Sequence, residues 1–166
     1  DGDLDVLGAV PNDDEIVWFE NDGGQAFAAR TISRAVDVPL SVFAADVDRD
    51  GDLDVLSASR DDDRIAWHEN DGSQNFTMHT ISTSAVQAQG VFAADIDGDG
   101  DLDVLSASSF DDKIAWYEND GNQSFSAHTI ALTDRARSVF AADMDGDGDL
   151  DVLSGSIDLD GLSGFV

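Results

Sequence analysis

The sequence predicts an all-β fold, a β-propeller of four-stranded antiparallel blades with about three and a half blades in the chain. Two observations carry that prediction. The string Leu-Asp-Val-Leu begins at Leu4, Leu53, Leu102 and Leu150, at spacings of 49, 49 and 48 residues, and Glu-Asn-Asp-Gly recurs at 20–23, 69–72 and 118–121. Each repeat holds four short segments of strand character, and none sustains a 3.6-residue periodicity over a helical length. Four antiparallel strands in a period near 50 residues is the arithmetic of a propeller blade. A parallel β-helix of the calcium-binding kind repeats at much shorter intervals and carries a Gly-Gly-x-Gly-x-Asp string that is missing here.

The elements follow in a fixed order. Ser-Val-Phe-Ala-Ala at 41–45 and 138–142, with Gly-Val-Phe-Ala-Ala at 90–94, forms the first strand and leads into an acidic loop. Residues 53–59, rich in β-formers and small side chains, leave that loop as the second strand. The third, 65–69, alternates apolar and mixed residues and ends at Asn-Asp-Gly, a strong hairpin signal. Residues 76–81 close the unit, as 27–32 and 125–130 do elsewhere, and a last strand is expected to begin at Leu162. The chain divides into a partial blade at 1–40, blades at 41–89 and 90–137, and a partial blade at 138–166, all in a single propeller segment.

The acidic loop reads as a calcium loop. In Asp95-Ile96-Asp97-Gly98-Asp99-Gly100-Asp101-Leu102-Asp103, carboxylates at positions 1, 3, 5 and 9 converge while the chain curls, which suits a hard cation that takes six to eight oxygens. The loop recurs at 46–54 and 143–151. Gly51, Gly100 and Gly148 hold position 6, where a sharp turn calls for positive φ. Position 7 offers a backbone carbonyl. An EF-hand would need a bidentate Glu at position 12, which is Ser57, Ser106 or Ser154 here. Magnesium is the poorer fit, because it demands tighter octahedral geometry and keeps several waters.

Composition agrees with this assignment. Among 166 residues, 42% hydrophobic content is enough for a core, and the formal charge of −28 arises from 36 acidic against 8 basic side chains. Eighteen of the 36 acids fall in loops of this kind, so half the charge has a local origin. The chain has no basic stripe to displace counterions from phosphates, which argues against nucleic acid and anionic membranes as partners. No apolar run approaches the roughly 20 residues of a membrane-spanning helix, and no signal peptide is visible. With no cysteine, disulfides and thiolate metal sites are excluded.

The loops at 46–54 and 95–103, each preceded by Val-Phe-Ala-Ala, resemble the FG-GAP/VCBS repeats, the blades of integrin-α-like propellers of secreted and cell-surface proteins. The likeness covers nearly the whole chain. It departs from the family where the Phe-Gly and Gly-Ala-Pro strings are absent, Ala44 standing where Gly would follow Phe43, so integrin-type ligand recognition is not implied. Carried over by the resemblance, the calcium ligands are Asp46, Asp48, Asp50 and Asp54; Asp95, Asp97, Asp99 and Asp103; and Asp143, Asp145, Asp147 and Asp151. Asp52, Asp101 and Asp149 would give backbone oxygen. Asp1, Asp3 and Asp5 are the remnant of a first loop without positions 1 and 3, expected to bind weakly or with help from another segment.

Other residues repeat with the blade. Trp18, Trp67 and Trp116 occupy one equivalent position, which favours packing between sheets over stacking on a sugar. The next position varies as Phe19, His68 and Tyr117 and is expected to face a groove on the opposite side of the strand. His79 and His128, equivalent to Arg30, are expected at the strand surface and not as a metal pair. No singular constellation of acid, base and nucleophile appears, so the protein is expected not to be an enzyme. The expected function is a calcium-binding propeller module for binding, adhesion or scaffolding, located outside the cell or at its surface. The alternatives are a propeller lectin and an accessory module of a polysaccharide-active enzyme. The chain is expected either to pair as a homo-oligomer that completes a ring or to be a segment of a longer propeller, with a glycan or a protein as ligand.

Overall fold

The computed structural model describes residues 2–24 and 26–157, and these form thirteen strands without a helix. Val6–Val10 (β1), Glu15–Asn21 (β2) and Phe27–Ser33 (β3) make a three-stranded sheet. Pro39–Ala45 (β4), Asp54–Ser59 (β5), Arg64–Asn70 (β6) and Phe76–Ser82 (β7) make a four-stranded one, and Ala88–Ala94 (β8), Asp103–Ser108 (β9), Lys113–Asn119 (β10) and Phe125–Leu132 (β11) another. Ala136–Ala142 (β12) and Asp151–Ser156 (β13) pair alone. Every sheet is an antiparallel meander in chain order, the arrangement of a propeller blade. The strand expected from Leu162 lies outside the described residues, as does Asp1.

The blades share their irregularities of pairing. Pairing between the third and fourth strands slips at Ile16/Val17, Ile65/Ala66 and Ile114/Ala115, and pairing between the first and second slips at Pro39/Ser41, Ala88/Gly90 and Ala136/Ser138. A bulge increases the local twist. It recurs at the same place in each blade.

Burial depends on the neighbouring sheet as much as on sequence. β5 and β9 share Asp-Val-Leu-Ser-Ala-Ser and are buried along their whole length. β13, Asp-Val-Leu-Ser-Gly-Ser, is largely exposed, since among the described residues no sheet lies beyond it. The small Ser and Ala side chains let sheets approach on both faces, while Leu56, Ile65 and Leu105 are fully buried. Each such side chain contributes about 1.5–3 kcal/mol relative to exposure.

The first strands of successive blades lie side by side, β8 between β4 and β12. Phe43 and Phe92 meet at 4.7 Å between ring centroids, and Phe92 and Phe140 at 4.6 Å, in a tilted ladder. Gly90 stands where the other blades have Ser41 and Ser138. A Cβ there would lie 3.0 Å from the carbonyl oxygen of Arg137, so β12 can approach β8 only because the side chain is absent.

Phe19, His68 and Tyr117 do not share a groove. His68 is fully buried and Tyr117 nearly so. His68 and Tyr117 fill the space between sheets, and each lies beside a small residue of the adjacent strand: Ser57 Oγ lies 3.0 Å from His68 Nε2 and Ser106 Oγ donates to the Tyr117 hydroxyl at 3.3 Å, while in the first sheet the partly buried Phe19 lies where a Cβ on Gly8 would touch it. Strand alternation put these residues on the face opposite the Trp, and for His68 and Tyr117 that face is covered by the preceding blade.

Burial pushes the His68 pKa down to about 4, and the positive charges of Arg64 and His79 act the same way. Its Nδ1 is buried without a partner. Because the folded value lies below the ordinary 6.5, stability from the neutral ring is fully present above about pH 6.5. It is lost as the pH falls towards 4, by up to about 3 kcal/mol. We expect urea denaturation of His68→Phe, which installs the residue of the first repeat, to lose less stability across this window than the unmodified chain. Identical pH profiles would mean that His68 does not titrate in the unfolded state alone.

Candidate metal centre

Each acidic loop joins the first two strands of a blade, and its shape comes from carboxylates that hold the loop's own backbone. In the first full loop, Asp48 accepts from Asp50 N at 3.2 Å, Asp50 from Asp52 N at 2.9 Å and Asp46 Oδ2 from Gly51 N at 3.2 Å. In the second, Asp95 accepts from Gly98 N, Asp97 from Asp99 N and Asp99 from Asp101 N. The third repeats this with Asp143, Asp145 and Asp147. Position 6 adopts φ of +99°, +94° and +101° at Gly51, Gly100 and Gly148, a region that a side chain would strain.

With one oxygen of most of these groups turned to the backbone, the others converge. Ligand oxygens of Asp46, Asp48 and Asp50 lie within 4.8 Å of one another, as do those of Asp95, Asp97 and Asp99, and those of Asp143, Asp145 and Asp151. Burial pushes the Asp48 carboxyl up, and the negative charges of Asp54, Asp50 and Glu69 add to the effect. Asp46 Oδ1 is buried without any hydrogen-bond donor. An orphaned carboxylate oxygen beside two further carboxylates is a poor arrangement for protein alone and a good one for a hard divalent cation. The donor set, all oxygen and multiply charged, fits calcium.

Position 9 has another task in two of the loops. Asp54 is fully buried and accepts from Val47 N at 3.0 Å and from Asn70 N at 2.8 Å; Asp103 accepts from Ile96 N at 3.0 Å and Asn119 N at 2.8 Å. Both fall outside the converging sets, whereas Asp151 joins the third set while accepting from Met144 N at 3.1 Å. Burial raises the pKa of Asp54 and Asp103, and the backbone donors and the indoles of Trp67 and Trp116 oppose that rise. In the first repeat the indole of Trp18 donates to Asp5 Oδ2 at 2.8 Å and Asn21 N donates to Asp5 Oδ1 at 2.8 Å. Trp67 Nε1 and Trp116 Nε1 are turned to their carboxylates without closing a hydrogen bond. Sequence spacing alone does not separate a ligand from a brace.

Position 7 also has a side-chain role. A Cβ on Gly23 would come within 2.6 Å of Asp3 and one on Gly121 within 2.6 Å of Asp101, and Gly72 faces Asp52 in the same way. The Asn-Asp-Gly turn therefore packs on the acidic loop. Its Asn tightens the contact, because the Nδ2 atoms of Asn21, Asn70 and Asn119 donate to the carbonyls of Leu4, Leu53 and Leu102 at 3.1, 3.2 and 3.1 Å. These asparagines read as turn residues in the sequence. The signal for their second role is the constant separation of 16 residues from Asp5, Asp54 and Asp103. Arg49 is a further addition: it takes φ +63° where the other loops have Gly98 and Gly146, and pairs with Asp101 of the next loop at 2.8 Å.

The tryptophans are packing residues first. Trp67 is 2% exposed, and Trp116 and Trp18 are partly buried against neighbouring clusters. Their cross-strand partners cover them: His79 stacks on Trp67 at 4.7 Å, His128 on Trp116 at 4.8 Å, and Arg30 lies 5.7 Å over Trp18. Glu69, Glu118 and Glu20 bind these three partners in turn.

Stacked meanders with an acidic loop at the same corner of each blade define a propeller-repeat protein. The chain belongs to the FG-GAP-like repeat family, which matches at residues 1–57, 47–106 and 97–154. No curated protein matches. Among solved structures it is similar to a lectin from Agrocybe aegerita that recognises non-reducing terminal N-acetylglucosamine, with a TM-score of 0.57 and 18% identity. The alignment covers 91% of this chain and 46% of the lectin, so the chain spans about half of that protein's length.

Proposed function

We propose that the protein is a non-catalytic, calcium-stabilised propeller module that binds ligands outside the cell or at its surface. The carrying observation is the convergence of three Asp carboxylates in each loop, with Asp46 Oδ1 buried and unpartnered in the first. The residues that would hold the ion are Asp46, Asp48 and Asp50; Asp95, Asp97 and Asp99; and Asp143, Asp145 and Asp151. The ion would neutralise their mutual repulsion and, by binding only the folded loop, stabilise the blade. At calcium a hundredfold above the dissociation constant this linkage is worth about 2.7 kcal/mol per site. In a chain of this size, that is about 2–4 °C of midpoint for each kcal/mol. Thermal melts should therefore shift upward with calcium and back with chelator, and Asp97→Asn/Asp99→Asn should respond less. A midpoint indifferent to chelator removes calcium from this reading.

A carbohydrate ligand is supported by a cleft of about 320 Å³ between the first two sheets, lined by Trp18, Asp5, Asp54, Asn70 and Phe76 among others. An aromatic ring beside carboxylate and amide groups suits a sugar ring with hydroxyls at its edge. The likeness to a lectin agrees with that chemistry. A glycan array probed with the whole chain should give hits that the free sugar competes away; a blank array leaves a protein ligand as the reading.

The uncovered face of β12 and β13 exposes Phe140 at 51% and Leu153 at 37%, and the Phe ladder runs out there. Exposed apolar groups beside a strand edge that has no partner among the described residues favour association. A second copy of the chain, or further repeats of the same kind, would continue the stack. Light scattering of the 166-residue chain should give a species larger than a monomer at high concentration, and a strict monomer excludes the homo-oligomer.

A further inference from the structure

In a repeat protein, residues that break the repeat at one place are the informative ones. Phe110, Arg135 and Arg137 break it together. Phe110 lies between β9 and β10 where the preceding repeats have Asp61 and Asn12, and it is 72% exposed. Arg135 and Arg137 stand where those repeats have Gln87 and Gln89, or Val38 and Leu40. The three line one groove of about 340 Å³ with Gln87, Ser109 and Asp112.

The groove is built at the end of the blades opposite the acidic loops. Asp112 Oδ1 accepts from Arg135 N at 2.8 Å, fixing Arg135 at φ +47°, and Ser109 N and Oγ both donate to the Gln87 carbonyl. Arg137 is aimed by its bond to Gln89 Oε1 at 2.8 Å. Arg135 has no side-chain partner among the described residues, an exception in a chain with 36 acids and 8 basic groups. The seven residues of β12 separate this groove from the loop at 143–151, about 20 Å at roughly 3.3 Å per residue. A Debye length of about 8 Å at physiological salt screens the loop charges over that distance.

We infer that this groove binds a uronic-acid residue of an acidic oligosaccharide. The two guanidinium groups take the carboxylate, which they match in shape and charge. The open face of Phe110 takes the C–H face of the sugar ring, and the Ser109 hydroxyl, the Gln87 amide and Asp112 exchange hydrogen bonds with ring hydroxyls. Among the described residues Phe110 is the one apolar side chain of the lining, so a fatty or extended aromatic ligand meets no second apolar wall there. The inference rests on the binding-module reading and is independent of calcium and of the Trp18 cleft.

Calorimetric titration of the whole chain with trigalacturonic acid and with the neutral galactose trimer, in one calcium-containing buffer, tests it. The acidic trimer should bind and the neutral one should not. Arg135→Gln/Arg137→Gln, which restores the residues of the preceding repeat, should weaken binding about tenfold or more. Phe110→Asn, the residue of the first repeat, should weaken it about threefold to tenfold. Equal melting temperatures would show that both variants fold. The inference is overturned if the acidic trimer does not bind, if the neutral trimer binds as well, or if the folded variants bind like the parent chain. A failure here alongside glycan-array hits would remove the groove and leave the module reading standing.

Discussion

The buried carboxylate at the entry of the second strand is the constraint on which each blade depends. Asp54 and Asp103 sit where solvent is excluded, so their charge is tolerated only because two backbone N–H groups, with an indole close by, meet it. Those donors come from three parts of the blade: the second residue of the acidic loop, the end of the third strand, and the Trp of that strand. Removing the carboxylate would leave the donors unsatisfied and release the loop, the turn and the strand together. The identical Leu-Asp-Val-Leu strings record that demand, since Asp54 and Asp103 each face three donor groups at once, two backbone N–H groups and an indole, and no neutral side chain of that size accepts from all of them.

Two electrostatic regimes follow along the same strands. At one end, Asp oxygens converge and repel, and the loop keeps its shape through hydrogen bonds from its own amides. At the other end, single carboxylates act as braces between blades: Asp14, Asp63 and Asp112 accept from Val38 N, Gln87 N and Arg135 N, each acceptor and each donor residue at positive φ. The strained backbone there is held by charge-assisted hydrogen bonds. The acidity that looks uniform in composition therefore divides into groups suited to a cation and groups that replace one with an amide.

The fold was legible because its signals are repeated. The 49-residue period, four strands, the acidic loop between the first two strands and the turn after the third all appear where the residues place them, and the positive φ at Gly51, Gly100 and Gly148 follows from loop chemistry. Less legible was which carboxylates converge. Asp54 and Asp151 stand at the same loop position, yet Asp54 is buried under the neighbouring blade and Asp151 is exposed. Alternation placed His68 and Tyr117 on the face opposite Trp67 and Trp116, but only the preceding sheet determines that this face is interior. Asn70 and Asn119 were hidden by their resemblance to ordinary turn residues.

Departures from the repeat carry the information that periodicity cannot. Some repair packing: Gly90 admits β12, and His68 with Ser57 fills a space that Phe19 with Gly8 and Tyr117 with Ser106 fill otherwise. Arg49 serves structure as well, accepting a left-handed backbone to place a guanidinium between two acidic loops. Each of these has a partner that explains it. Arg135 and exposed Phe110 have none among the described residues, on a chain of charge −28. Packing among the described residues accounts for the other departures, whereas a guanidinium and a bare aromatic ring that share one groove are groups suited to recognition.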